Sequence, residues 1–156
     1  MIRPATQGDA AAIAAIWNHA IRETVITFHP IEKSAGEVAA LITDDQPCLV
    51  WDDGGVQGFA RYTQFRGGEG YRFSVEHTIM LSDTAQSKGA GRALLSALCQ
   101  TAKDAGKHMM FAGVSAENSG AVAFHAKMGF TTAAVLPEVG FKFGRWHDLV
   151  LMQKRL

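Results

Sequence analysis

The chain has 156 residues and is 47% hydrophobic, enough apolar material for one compact domain spanning residues 1–156 and too short for a second. Fifteen Lys and Arg balance fifteen Asp and Glu, so the formal net charge is zero and the basic footprint of a nucleic-acid binder is excluded. With no apolar run near the roughly 18 residues of a membrane span, and no signal-peptide pattern at the start, a soluble cytoplasmic protein without a membrane partner is expected.

In chain order, Ile2 to Pro4 reads as a short first strand. Thr6 has the chemistry of a helix N-cap, with Asp9 as an imperfect capping box, and Ile13, Ile16, Trp17 and Ala20 then keep helical spacing. Ser34 to Leu41 is a second helix, capped by Ser34 with Glu37 in the reciprocal position. Cys48 to Trp51 and Val56 to Tyr62 form a hairpin around Asp52-Asp53-Gly54-Gly55. Arg66 to Gly70 is a polar loop, and Phe73 to Leu81 a long strand. Gly91 to Ala105 is a helix with an apolar stripe at Ala93, Leu94, Ala97, Leu98 and Ala102, stopped by Gly106. Met109 to Val114 is a strand, Asn118 to Met128 a helix, and Phe130 to Leu136 with Trp146 to Gln153 a closing hairpin-like pair. The fold class is α/β with a mixed sheet, in the order β-α-α-β-β-β-α-β-α-β-β. Cys48 and Cys99 lie among apolar neighbours and read as small buried hydrophobes. The six histidines are scattered and form no metal-binding motif.

The segment Gln86-Ser87-Lys88-Gly89-Ala90-Gly91-Arg92 carries the most chemistry. It joins a strand to a helix. Small residues at 89, 90 and 91 let backbone N–H groups approach an anion, and the helix dipole points at the same place. Lys88 and Arg92 add charge at the rim. The spacing fits a phosphate or pyrophosphate cradle, yet two common nucleotide loops fail. A Walker A loop needs Gly-Lys-Ser/Thr, but Lys88 precedes the glycines; a Rossmann fingerprint needs Gly or Ala where Leu94 stands.

The run resembles the Gln/Arg-x-x-Gly-x-Gly/Ala motif of the GCN5-related N-acetyltransferases, the GNAT superfamily, matching at Gln86, Gly89 and Gly91. The element order is similar to the fold of that family. Asn118, Ala121, Phe124, His125, Lys127, Gly129 and Phe130 resemble its second cofactor helix. Tyr71 to His77 and Gly140 to Asp148 resemble the narrower branch of phosphinothricin and methionine-sulfoximine acetyltransferases. Met80 departs from that branch, which commonly has a tyrosine there.

The resemblance implies acetyl-coenzyme A as acyl donor and an enzyme moving the acetyl group to the amine of a small amino-acid-like acceptor. It implies that the loop from Gln86 to Arg92 takes the pyrophosphate and that backbone at Ile79, Met80 and Leu81 pairs with the pantetheine amides. Asn118 and Lys127 would also touch the cofactor. Free N–H groups near Met80 and Leu81 would stabilise negative charge on the carbonyl oxygen. The resemblance implies Glu76 as general base, where the strand pattern alone points to an exposed carboxylate or one paired with Arg72. His77 should point to the opposite sheet face and be structural. His125 either protonates the departing thiolate or fixes the loop by hydrogen bonding. For the acceptor, Phe28 is an expected aromatic wall and Arg72 a carboxylate partner, with a salt bridge to Glu69 or Glu76 as its alternative. Phe141, Lys142 and Trp146 line the far side or a homodimer contact. Two other functions remain compatible: acetylation of another amine, such as a polyamine or protein N-terminus, and a non-catalytic acyl-CoA sensor.

Overall fold

The computed structural model describes residues 1–156. The elements are β1 (Ile2–Pro4), α1 (Ala10–Glu23), α2 (Ala35–Leu41), β2 (Cys48–Asp52), β3 (Val56–Gln64), β4 (Ser74–Leu81), α3 (Ala90–Asp104), β5 (Met109–Ser115), α4 (Ser119–Lys127), β6 (Thr131–Lys142) and β7 (Arg145–Arg155). Their order is the expected one, with boundaries shifted by a few residues. All seven strands form one sheet in the order β1-β2-β3-β4-β5-β7-β6. Every neighbouring pair is antiparallel except β4 and β5.

Strand alternation divides the sheet's side chains between two cores. On one face α1 and α2 pack Ile13, Ala14, Trp17, Ile21 and Val38 against Val50, Phe59 and Met80. On the other, α3 buries its stripe of Leu94, Leu95, Leu98 and Ala102 against Val75, Met110, Ala112 and Met152. Each fully buried Leu contributes about 1.5–3 kcal/mol from apolar burial. The two faces of β4 therefore look into different environments.

The chain enters α1 as expected, with Thr6 capping and Asp9 reaching back to it; the first turn, Gln7–Asp9, is 3-10, so Asp9 in turn occupies the N-cap position of α1 proper. Asp9 Oδ2 accepts from the Thr6 N–H at 2.7 Å and from the Thr6 hydroxyl at 3.0 Å. Both Asp9 oxygens also accept from Arg3, at 2.8 and 2.9 Å, and Arg3 reaches Asp52 at 2.7 Å. This network ties β1, the head of α1 and the end of β2 together. α2 likewise begins as expected, with Ser34 and Glu37 exchanging the two bonds of a capping box.

The Arg3 hydrogen bonds hold the Asp9 carboxyl far below its ordinary value of 3.8. A depressed carboxyl stabilises the fold above its unfolded pKa and loses that contribution as pH falls through the folded value. Asp9→Asn is therefore expected to cost about 1–2 kcal/mol at neutral pH. The gap between the variant and the wild-type protein should narrow below about pH 4, as urea denaturation across pH will show.

Candidate functional site

The site begins with a missing pairing. β4 and β5 run parallel and pair only at Ser74–Met109, Val75–Met110 and Glu76–Phe111. Beyond Glu76 the two strands part. On its other edge β4 stays in unbroken register with β3 from Gln64–Val75 to Gly58–Leu81. Phe65 N–H donates to the Ser74 carbonyl and Ser82 N–H to the Gln57 carbonyl, so even-numbered residues direct their backbone toward β3. The backbone groups of His77, Ile79 and Leu81 therefore face the gap. Those of Met80 do not, which moves the expected carbonyl-oxygen donors from Met80 to its neighbours Ile79 and Leu81. An open parallel edge of this kind accepts an extended amide-bearing ligand as it would a strand.

The gap opens into a cavity of about 1020 Å³ that runs along β4, past the heads of α3 and α4 and under α1. At one end lies the loop before α3. Ser87 and Gly89 have positive φ, 65° and 79°, which turns the chain sharply into the helix. The first bonded amide is Ala93 N–H, donating to the Gly89 carbonyl at 3.0 Å. The N–H groups of Ala90, Gly91 and Arg92 thus have no intrahelical acceptor. No side chain caps them, because the N-cap is Gly89. A methyl group on Gly91 would project toward Leu81 and Phe124 at 3.5 and 3.6 Å, narrowing the cleft between β4 and α4. Gln86, Ser87, Gly89, Ala90, Gly91 and Arg92 all line the cavity. These donors and this open edge fit a pyrophosphate followed by an amide-containing arm. Asn118 lines the same space; its Oδ1 caps α4 by accepting from Ala121 N–H at 3.0 Å, leaving its amide N–H groups for a ligand.

Glu76 stands where the strands part, on the face of β4 shared with Met80. Gly113 on β5 leaves it room: a methyl group there would come within 3.5 Å of Glu76 Oε2. Glu76 forms no ion pair with Arg72 or any other residue, and burial raises its carboxyl above the usual 4.5. A raised, unpartnered carboxylate in a cavity wall is a proton acceptor suited to neutral pH.

His77, on the opposite face as expected, meets a partner 48 residues away in sequence. Its ring stacks on His125 with Nε2 atoms 3.1 Å apart. His125 Nδ1 lies 2.7 Å from the Ala121 carbonyl and must donate to it. With His125 neutral, its Nε2 accepts from His77 Nε2–H. Burial, then the neighbouring His125, holds His77 well below the ordinary histidine value, and burial also lowers His125. Both nitrogens of His125 are committed, so of its two expected roles the geometry favours fixing α4 against β4.

The acetyltransferase (GNAT) domain family matches residues 2–151. The chain belongs to this family. It is an N-acetyltransferase, and its acyl donor is acetyl-CoA. The L-methionine sulfoximine/L-methionine sulfone acetyltransferase of Salmonella typhimurium is 39% identical over 99% of this chain and 94% of its own. A Salmonella typhimurium protein solved with its cofactor acetyl-CoA superposes with a TM-score of 0.96 at 38% identity, covering 100% of this chain and 93% of that one. A GNAT superfamily phosphinothricin acetyltransferase from Sinorhizobium meliloti, in complex with acetyl-CoA, gives 0.93 at 33% identity over 100% and 88%.

The far wall of the acetyltransferase cavity comes from the segment after α1, including Thr24, Thr27 and Phe28. It is held by residues from the other end of the chain. Lys142, 4% exposed, donates from Nζ to the Thr24 carbonyl at 2.6 Å and the Thr27 carbonyl at 2.7 Å. Phe28 stacks on buried His147 with ring centroids 5.3 Å apart. Gly140 leaves space for that ring; a Cβ there would sit 2.3 Å from it. His147 Nε2 donates to the Lys142 carbonyl at 2.9 Å, and Nδ1 meets Glu117. Glu117 also takes Arg145 in a bidentate pair at 3.0 and 2.6 Å. The β6–β7 hairpin thus shapes this wall of the cavity from behind. Sequence reasoning placed Lys142 on the cavity's far side; it is a buried clamp instead. Nothing in the sequence linked Glu117 and His147 to Phe28.

Five expected contacts lie outside the cavity lining of this chain. Arg72 pairs with Glu69 at 3.5 Å and covers Phe73, because the 3-10 turn at Glu69–Tyr71 brings the two side chains together. Lys88 is exposed and absent from the cavity lining, and Lys127 is exposed in the last turn of α4. Phe141 and Trp146 pack against each other on the exposed face of the hairpin, 4.8 Å apart and 54% and 60% exposed. Strand alternation explains the last pair: Lys142 and His147 take the inward positions next to them.

Lys142→Met should release Thr24 and Thr27 without touching the cofactor loop. The expected result is a rise in acceptor KM of roughly tenfold, about 1.4 kcal/mol, with the KM for acetyl-CoA little changed. Steady-state kinetics with each substrate varied in turn will check it.

Proposed function

We propose that this enzyme acetylates the α-amine of small L-amino-acid-like acceptors, of the methionine sulfone, methionine sulfoximine and phosphinothricin type, by direct attack in a ternary complex. The observation that carries this reading is the unpaired Glu76 carboxylate, set in one cavity with the anion-binding loop at Gln86 to Arg92. The relatives, a methionine sulfoximine/methionine sulfone acetyltransferase and a phosphinothricin N-acetyltransferase, supply the acceptor class.

Bound acetyl-CoA supplies a thioester carbonyl as the electrophile. The chain's residues do the rest. The amides at the head of α3 hold the phosphates. The open backbone of Ile79 and Leu81 aligns the arm and offers N–H donors where negative charge collects on the carbonyl oxygen. Asn118 adds a side-chain donor along the arm. Glu76 removes the proton from an amine that is largely ammonium near neutral pH, directly or through one water. Phe28 and Met80 border the acceptor. The neutral pair of His77 and His125 keeps α4 seated on β4. Neither cysteine is needed: Cys99 is buried, burial raises its thiol, and no covalent acyl-enzyme enters the scheme.

The reading includes a homodimer. Phe141 and Trp146 pack together in the open on the β6–β7 hairpin, on the side opposite Lys142 and His147, and Val135 and Val139 on the same strand are also exposed. Exposed aromatics of this kind on a net-neutral protein fit a subunit contact. No helix is long and apolar enough to cross a membrane. We place the activity in the cytoplasm, in keeping with free Cys48 and Cys99.

Glu76→Gln should lower kcat by roughly 100-fold or more while acetyl-CoA binding persists. It should also abolish the acid limb of the pH–rate profile, which in the wild-type enzyme sits above the usual carboxyl range. Because burial raises the Glu76 carboxyl, the charged form destabilises the fold as pH rises through that value, so the variant should melt no lower than wild type at neutral pH. Undiminished turnover of methionine sulfone by the variant would remove Glu76 as the base. For the dimer, Trp146→Asp should halve the mass measured by sedimentation; an unchanged mass, whether monomeric or dimeric in both proteins, counts against this contact.

A further inference from the structure

Resting on the amino-acid acceptor proposed above, we propose that Lys33 forms the subsite for the acceptor's carboxylate. An α-amino acid carries its amine and its acid on one carbon, so a group that binds the acid must share a lobe of the cavity with Glu76. Arg72 lies outside the cavity wall. Two Lys or Arg residues line it, Lys33 and Arg92, and Arg92 belongs to the phosphate end. Lys33 remains on the acceptor side.

Its placement is built rather than incidental. The Asn18 side chain grips the Lys33 backbone at two points, accepting from its N–H at 2.8 Å and donating to its carbonyl at 2.8 Å. This fixes the connection between α1 and α2. The Lys33 ammonium then lies 4.7 Å from the centre of the Trp17 ring, and Trp17 packs on Phe59, which pairs with Met80 across the sheet. A second cation stands near the same indole. Arg61 is 8% exposed, lies 6.0 Å from the Trp17 ring and pairs in register with Thr78, a cavity residue. Thr78 is two residues beyond Glu76, about 7 Å along the same face of β4. Arg61 has one side-chain partner, the neutral Gln46, at 2.8 Å, and its Nε has none.

Neither Lys33 nor Arg61 pairs with a carboxylate of the protein. Two cations flank one aromatic ring, one of them deeply buried, and neither holds a salt bridge; the carboxylate that feels the Lys33 charge, Glu37, is exposed to solvent, so the lobe itself carries a positive field. An incoming carboxylate supplies the missing charge. Lys33, half-buried and flexible at its tip, makes the contact; Arg61 acts from behind it. The amine is then presented toward Glu76, the one acidic side chain on this face of the cavity.

The test compares L-methionine sulfone with its carboxamide, which keeps the amine and removes the charge. In the wild-type enzyme kcat/KM should fall roughly 20-fold or more from acid to amide, the scale of a lost charge-assisted hydrogen bond. Lys33→Met should bring acid and amide within about twofold of each other by lowering only the acid, and Lys33→Arg should restore the preference. A calorimetric titration of the des-amino acid, 4-(methylsulfonyl)butanoate, onto enzyme loaded with coenzyme A reads the subsite without turnover. Lys33→Met should weaken this binding roughly tenfold. If the wild-type enzyme ignores methionine sulfone, the acceptor class is wrong, while the calorimetry still decides for or against the subsite. A persisting acid preference in Lys33→Met, an equal loss for acid and amide, or unchanged binding of the des-amino acid would overturn the role of Lys33.

Discussion

The structure depends on the parting of β4 and β5 after three paired residues. A parallel pair in the middle of a sheet would normally continue, because unpaired backbone groups away from water cost free energy. Here His77, Ile79 and Leu81 keep their β3-side neighbours in register while their own backbone groups face open space. The gap is affordable only because both flanking strands are held elsewhere. β4 is fixed along its whole length by β3, and β5 by seven register positions with β7. The helices α3 and α4 then start at the mouth of the gap, so their free N-terminal amides and the open strand edge present donors to one ligand. In the proposed site, cofactor recognition is thus mostly backbone geometry.

A second constraint shapes the acceptor side. The segment after α1 has no regular structure, yet Phe28 must keep a fixed place in the wall. Lys142 solves this by donating to two of its carbonyls, and Gly140 and His147 receive the ring. Burying an ammonium lowers its pKa, as it does here. The two carbonyl dipoles partly replace the water it loses. His147 continues the chain of contacts to Glu117, the residue before the α4 cap Asn118. Acceptor wall and cofactor helix therefore share one polar network. The exposed apolar face of the same hairpin lies on the reverse side, so a subunit contact there would press on the acceptor wall from outside.

These features were unequally visible in the sequence. Element order, the helix stripe of Leu94 and Leu98, the Ser34 capping box and the loop at Gln86 to Arg92 are local patterns, and local patterns survive without the tertiary structure. The opposition of Glu76 and His77 followed from strand alternation alone. What failed were contacts over long separations or choices between near-equal partners. Arg72 had Glu69 three residues away, and the 3-10 turn that joins them has no strong sequence signal. The meeting of His77 with His125 and of Lys142 with Thr24 depends on how strands and helices are layered. Phe141 and Trp146 illustrate a subtler limit. The sequence left them, together with Lys142, between the far side of the cavity and a subunit contact, although strand alternation already sets Lys142 and Phe141 on opposite faces. The structure turns the Lys and His inward because their polar atoms find carbonyl and carboxylate partners there.

The two faces of β4 divide the electrostatic work. On the α3 and α4 side the ionisable groups nearest the strand are neutral. The carbonyl of Ala121 fixes the proton on His125 Nδ1, which makes its Nε2 an acceptor and sets His77 as the donor. His77 Nδ1 is then a buried lone pair without a partner, a small cost that a protonated pair would exceed, since two buried imidazolium ions would repel. On the α1 side the groups are charged and unpaired: Glu76 at the fork of the strands, Lys33 and Arg61 around Trp17. An arrangement with positive charge beside the Glu76 lobe and neutrality behind it favours a zwitterionic acceptor over a simple cation. A polyamine would set its ammonium groups against Lys33 and Arg61 with no carboxylate to offset them, whereas an amino acid places one charge against each.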